Sequence, residues 1–126
     1  MDALSAGFRD KAFDQVISIS TIEHIALDDK SGDAKVMQEI FRLLKKGGSA
    51  IITVPYGRGG RSEHRVYDRR SLAKLASSFK VAQKEFYRYD TGKWSKCSQA
   101  AADGADPRIP LHFHSAACAC LLLRKP

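Results

Sequence analysis

The stretch "AFDQVISISTIEHI", Ala12 to Ile25, decides how the rest of the chain is read. Val16, Ile17 and Ile19 are β-branched and crowd a short apolar run, so Phe13–Ile19 is predicted to be a strand buried on both faces. The run stops in small hydroxyl residues, Ser20 and Thr21, and then meets Glu23-His24. In an open α/β sheet the ligand crevice lies outside the carboxyl ends of the strands. A carboxylate and an imidazole at that end are therefore candidates for a site.

Working outward, Asp28 to Asp33 is turn chemistry, with Asp33 the expected N-cap of the next segment. Val36, Met37, Ile40, Phe41, Leu43 and Leu44 recur at three- and four-residue spacing, which predicts a helix over 34–46. Lys45 and Lys46 suit the negative end of its dipole, and Gly47-Gly48 is the expected stop. Ala50 to Val54 reads as a second buried strand stopped by Pro55. A glycine- and arginine-rich loop follows, from Tyr56 to Val66. Asp68 or Ser71 then starts a short helix with Leu72, Leu75 and Ala76 inward. Phe79–Tyr89 is a third strand, Asp90–His112 a long irregular segment, and Ser115–Leu123 a final apolar strand. Strands alternating with helices imply a parallel α/β sheet with helices covering its faces, and the helix-free last connection allows an antiparallel pair at one edge.

Composition bounds the reading. The 126 residues suit one domain, and no apolar run reaches the roughly 18 residues that cross a bilayer. No signal peptide is read at the N-terminus. Three cysteines, an odd count, argue against a disulfide framework and favour reduced cytosolic thiols, so a cytoplasmic location is expected. Cys118 and Cys120 point the same way from a strand, but a single C-x-C is a poor metal set, and no metal is expected. The net charge of +7 permits an anionic partner. Arg58, Arg61, Arg65, Arg69 and Arg70 concentrate it, yet the stretch has no repeat. A solvated basic loop is its other reading, and nucleic-acid binding is not expected.

Phe13-Asp14, Glu23-His24, Leu44-Lys45-Lys46-Gly47-Gly48 and Pro55, in that order and spacing, resemble the C-terminal part of class I S-adenosylmethionine-dependent methyltransferases. Lys46 stands where the family usually has proline. Arg65-x-Tyr67-Asp68 and the leucines beyond it resemble branches acting on small molecules. The resemblance implies a partial Rossmann-like sheet, mostly parallel with an antiparallel C-terminal strand, in one truncated domain over residues 1–126. It implies that Asp2 and Ala3 end the family's third strand near the adenine, and that Ile19, Ser20 and Thr21 line the cofactor. The family's glycine-rich turn and ribose-binding acid find no match. The chain is thus expected to start in the middle of the fold, to bind S-adenosylmethionine weakly or not at all, and to be inactive alone. In some relatives a glutamate three positions before Glu23 completes a metal site; here that position is Ser20.

Methyl transfer needs close alignment, and a base where the acceptor is a hydroxyl. His24 is the best base candidate, or else a loop cap. Glu23 either orients His24 or begins the following turn. Tyr56, His64 and Tyr67 are candidate acceptor contacts, with rim and loop packing as their other reading. His112 and His114 are read as strand-entry residues. Trp94 either closes a pocket or anchors its loop. Finally, a sheet lacking its first strands exposes Phe13–Ser20 as an apolar edge, which predicts a homodimer or higher assembly, a binding module being the alternative to an enzyme.

Overall fold

The computed structural model describes residues 2–61, 65–106 and 117–126, with only the backbone of residues 27, 28, 60 and 61. The elements begin with strand β1 (Phe13–Ile19), helices α1 (Ile22–Asp28) and α2 (Gly32–Leu43), and strand β2 (Leu44–Tyr56). A short hairpin of β3 (Gly60–Arg61) and β4 (Arg65–Val66) leads to helix α3 (Arg69–Leu75). Strands β5 (Lys80–Asp90) and β6 (Lys93–Cys97), helix α4 (Gln99–Asp103) and strand β7 (Ala117–Arg124) follow.

Five strands form one sheet in the order β1-β2-β7-β5-β6. β1 and β2 pair in parallel, β7 is antiparallel to both β2 and β5, and β6 is antiparallel to β5. Hence β1, β2 and β5 point one way, and β7 and β6 the other. This is the Rossmann-like α/β sheet with a reversed last strand that the sequence implied. The reversed strand lies inside the sheet; the antiparallel pair at the edge is β5–β6.

The core forms on one face. Alternation along β2 turns Ala50, Ile52, Val54 and Tyr56 inward, and Ala117, Ala119, Leu121 and Leu123 of β7 stand opposite them. Ile22 of α1, Val36, Met37 and Ile40 of α2, Leu72 and Leu75 of α3 and Ala102 of α4 close over this face. Ser49, Ile51, Thr53 and Pro55 of β2, with Cys118, Cys120 and Leu122 of β7, point to the second face and are half-buried. The expected cover on both faces is therefore not seen among the described residues. β1 departs for the same reason. It lies at the sheet edge, and Ile17 and Ile19 are 58% and 63% exposed rather than buried.

Other departures have local causes. Helix α2 ends at Leu43, short of Lys45 and Lys46, because its terminal carbonyls are met from elsewhere. The Lys125 ammonium donates to the Phe41 and Leu44 oxygens at 2.7 and 2.8 Å and sits 4.4 Å over the Phe41 ring. Gly47 (φ +78°) and Gly48 shape the start of β2 instead of capping the helix. A Cβ on Gly48 would lie 2.8 Å from the Lys45 oxygen and 3.0 Å from that of Asp14. Pro55 continues β2, since β1 pairs only as far as Thr53 and no ladder bond is lost at Pro55 on that side. The segment after Asp90 is not wholly irregular. Thr91 and Gly92, both at positive φ, turn β5 into β6, and the Ser98 hydroxyl caps α4 by accepting from the Ala101 N–H at 3.1 Å. Trp94 belongs to this hairpin, edge-on to Tyr89 at 5.5 Å. No helix among the described residues is long and apolar enough to cross a membrane.

Candidate functional site

The carboxyl ends of β1 and β2 converge on Ser20. Its φ of +48° is uncommon for a residue with a side chain and turns the chain sharply out of β1. Thr53 of β2 fixes the turn: the Ser20 N–H lies 3.2 Å from the Thr53 carbonyl oxygen and 3.1 Å from its hydroxyl. The Thr21 hydroxyl donates back to the Ile19 oxygen at 3.0 Å. Ile19, Ser20 and Thr21 are all exposed, so this edge offers an apolar side chain beside bent backbone and a hydroxyl.

Glu23 and His24 follow in the first turn of α1 and diverge in burial. Glu23 is 2% exposed, while the His24 side chain is 59% exposed with Nε2 4.0 Å from Glu23 Oε1. Glu23 Oε2 is buried without a hydrogen-bond partner among the described residues. Burial pushes the Glu23 carboxyl above its ordinary range, opposed by its own backbone N–H and by His24. Glu23 therefore begins the helical turn, one of the two roles read for it, with His24 beside it.

Tyr67 and Tyr56 are core residues with committed hydroxyls. Tyr67 donates to Asp33 Oδ2 at 2.8 Å, and Arg65, paired with the same carboxylate, lies 4.8 Å over the Tyr67 ring. Burial, then the Asp33 bond, raises the Tyr67 hydroxyl far above its usual range. Asp33, expected as an N-cap, is instead a buried acceptor that ties α2 to the loop after β2. Tyr56 donates to Asp103 and accepts from the Gln99 amide at 3.2 Å; burial first, then Asp103, pushes it up to about 12. His64, His112 and His114 lie outside the described residues. Asp2 and Ala3 are exposed in a local turn, Asp2 Oδ1 accepting from the Leu4 N–H at 2.8 Å, and no hydrogen bond joins them to Ser20 or Thr21.

Three of the five arginines in the stretch are paired with acids, and Arg70 is exposed with no ion pair among the described residues. Arg58 pairs with Asp106 at 2.8 Å, Arg65 with Asp33, and Arg69 with Asp103 at 2.6 Å. The sequence reading missed Thr53 and Asp103, and the partners of Asp33. Thr53 had a signal, since it is the polar position nearest the end of the second apolar strand; the acids had none, because their partners lie more than thirty residues away.

To one side of a nucleoside cofactor this edge would offer the exposed apolar surface of Ile19 and the bent backbone of Ser20, with the Glu23 carboxylate buried behind it. No described strand passes through a glycine-rich turn into a helix: Gly57-Arg58-Gly59-Gly60 leads into β3.

Comparison with known proteins agrees with this geometry. A family described as "Methyltransferase domain" matches residues 1–52. A Xenopus tropicalis protein described as tRNA (carboxymethyluridine(34)-5-O)-methyltransferase alkbh8 is 51% identical over 53 residues, 42% of this chain and 8% of that protein. An S-adenosylmethionine-dependent methyltransferase from Methanosarcina mazei superposes with a TM-score of 0.69 at 13% identity, over 99% of this chain and 65% of that one. The N-methyltransferase NodS from Bradyrhizobium japonicum, in complex with S-adenosyl-L-homocysteine, gives 0.63 at 11% identity, over 100% and 52%. The chain thus spans a small part of its curated relative and half to two-thirds of these structures. Residues 1–52 thus match a methyltransferase-domain family, and the chain shares along its length the fold of solved S-adenosylmethionine-dependent methyltransferases, in line with the resemblance at Phe13-Asp14, Glu23-His24 and the Leu44–Gly48 turn.

Proposed function

We propose that residues 1–126 form a methyltransferase-like domain that presents the acceptor side of an S-adenosylmethionine-dependent transfer to a carboxymethyl oxygen on an RNA nucleoside. The observation that carries this reading is the 51% identity over 53 residues with a protein described as a tRNA methyltransferase. When bound, S-adenosylmethionine supplies an electrophilic sulfonium methyl. A carboxylate acceptor is already ionised near neutral pH, so no side chain needs to remove its proton. That suits a site where His24, not buried, stands beside a Glu23 whose ionised form burial disfavours. The task left to the chain is alignment, through the Ser20 turn anchored on Thr53. The chain alone holds the cofactor weakly in this reading, since no glycine-rich turn enters a helix among the described residues.

The test compares two RNA hairpins that differ in one nucleoside. Tighter binding of the carboxymethyluridine hairpin than of its uridine counterpart is expected. Equal affinity contradicts the acceptor, and saturable binding of a small carboxylic acid instead returns the assignment to the small-molecule acceptor read from Arg65–Asp68.

A second reading, assembly with another copy, is favoured by the exposed Ile17 and Ile19 on edge strand β1. Light scattering at micromolar concentration is expected to show a dimer that Ile17→Lys dissociates; a monomer before substitution contradicts it.

A further inference from the structure

We propose that the groove between α2 and α3 holds a backbone phosphate of the RNA acceptor, an inference that rests on the RNA reading above. A cavity of about 370 Å³ opens there, and Lys30, Lys74, Ser77, Ser78, Asp33 and Arg65 are among its lining residues. The charge balance within it is specific. The one carboxylate that lines it among the described residues, Asp33, is already spent on Arg65 and Tyr67. Lys30 and Lys74 are exposed and carry no ion pair among the described residues, while nearby Lys35 is tied to Asp29. In the arginine stretch Arg58, Arg65 and Arg69 are each paired to an acid of the chain itself, whereas Arg70 is exposed with no ion pair among the described residues. This groove therefore holds two cations left for an anion, outside the stretch where the sequence concentrates charge.

The lining chemistry selects the ligand. Lysine ammonium groups are strong point-charge phosphate donors, and the Ser77 and Ser78 hydroxyls add neutral donors to oxygen. Among the described residues no aromatic side chain on which a base would stack lines the cavity, so it suits the sugar–phosphate backbone rather than sequence readout. Two phosphate-directed lysines each add about one to the slope of log affinity against log salt.

The experiment measures anisotropy of a labelled, unmodified RNA hairpin with the full chain between about 50 and 200 mM salt. Lys30→Ala/Lys74→Ala is expected to lower the slope by about two and weaken binding by about tenfold or more at the low-salt end. Lys35→Ala, at a lysine already paired, is expected to change neither. Circular dichroism confirms that each variant is folded. An unchanged slope in the double variant, an equal loss in Lys35→Ala, or no salt-dependent binding by the unaltered chain overturns the proposal. Displacement of the RNA by micromolar pyrophosphate, acting through the same lysines, assigns the groove to a free phosphorylated ligand and also overturns it. Because the hairpin is unmodified, a lost preference for carboxymethyluridine defeats the acceptor reading while leaving the groove result intact.

Discussion

Tyr67 donates its phenolic hydrogen to Asp33 Oδ2 at 2.8 Å, and both groups are buried. With Arg65 on the same carboxylate, this bond fastens the start of α2 to the loop that leaves β2.

Removing the donor alone leaves the ion pair in place. Tyr67→Phe is expected to cost about 1.5–3 kcal/mol, the range for a hydrogen bond to a charged group. Asp33→Ala strands the Arg65 guanidinium and is expected to cost more, about 3–5 kcal/mol. Urea unfolding of both variants measures this; equal and small losses would show that the network does not hold the loop.

The pH dependence of stability separates Glu23 from the surface acids. Its folded carboxyl keeps a proton to higher pH than the unfolded chain does, because of burial. Its contribution therefore falls as pH rises from about 4, where an unfolded glutamate titrates. Asp29 and Glu39 behave oppositely. Lys35 holds Asp29, and Arg42 holds Glu39, down at about 2. Their contributions are present above about pH 4 and fade as pH falls through 2. Glu23→Gln is thus expected to make stability rise more steeply from pH 4 to 7 than in the unaltered chain. Parallel profiles of urea midpoint against pH would contradict the buried, strained carboxylate.

Lys125 replaces the helix cap expected at Lys45–Gly48. Lys125→Met keeps much of the apolar stem over Phe41 and deletes two charge-assisted bonds to the end of α2. A loss of about 1–3 kcal/mol is expected by thermal or urea unfolding. A change below about 0.5 kcal/mol, the size of an ordinary surface substitution, would show that Lys125 is not a cap.

What the sequence disclosed was local. The three-and-four spacing from Val36 to Leu44 marked α2, and the Asp68–Ser71 pair marked α3. There the structure shows a reciprocal capping box, with Asp68 Oδ1 accepting the Ser71 N–H and Ser71 Oγ accepting the Asp68 N–H. The apolar strands and the end of the first of them at Ser20 were legible too. What stayed hidden depended on distant partners. No local pattern reveals that Lys125 will cap a helix ending at Leu43, or that Asp33 will collect Arg65 and Tyr67. β6 was legible in principle, since Asp90-Thr91-Gly92-Lys93 between aromatic-rich runs is a hairpin signal.

A titration with S-adenosyl-L-homocysteine, followed residue by residue through amide chemical shifts, tests the cofactor edge most directly. The account predicts weak, millimolar-range binding, with the largest shifts at Ile19, Ser20 and Thr21 and their Thr53 anchor. Micromolar affinity, shifts centred elsewhere, or no shift at these amides would contradict it.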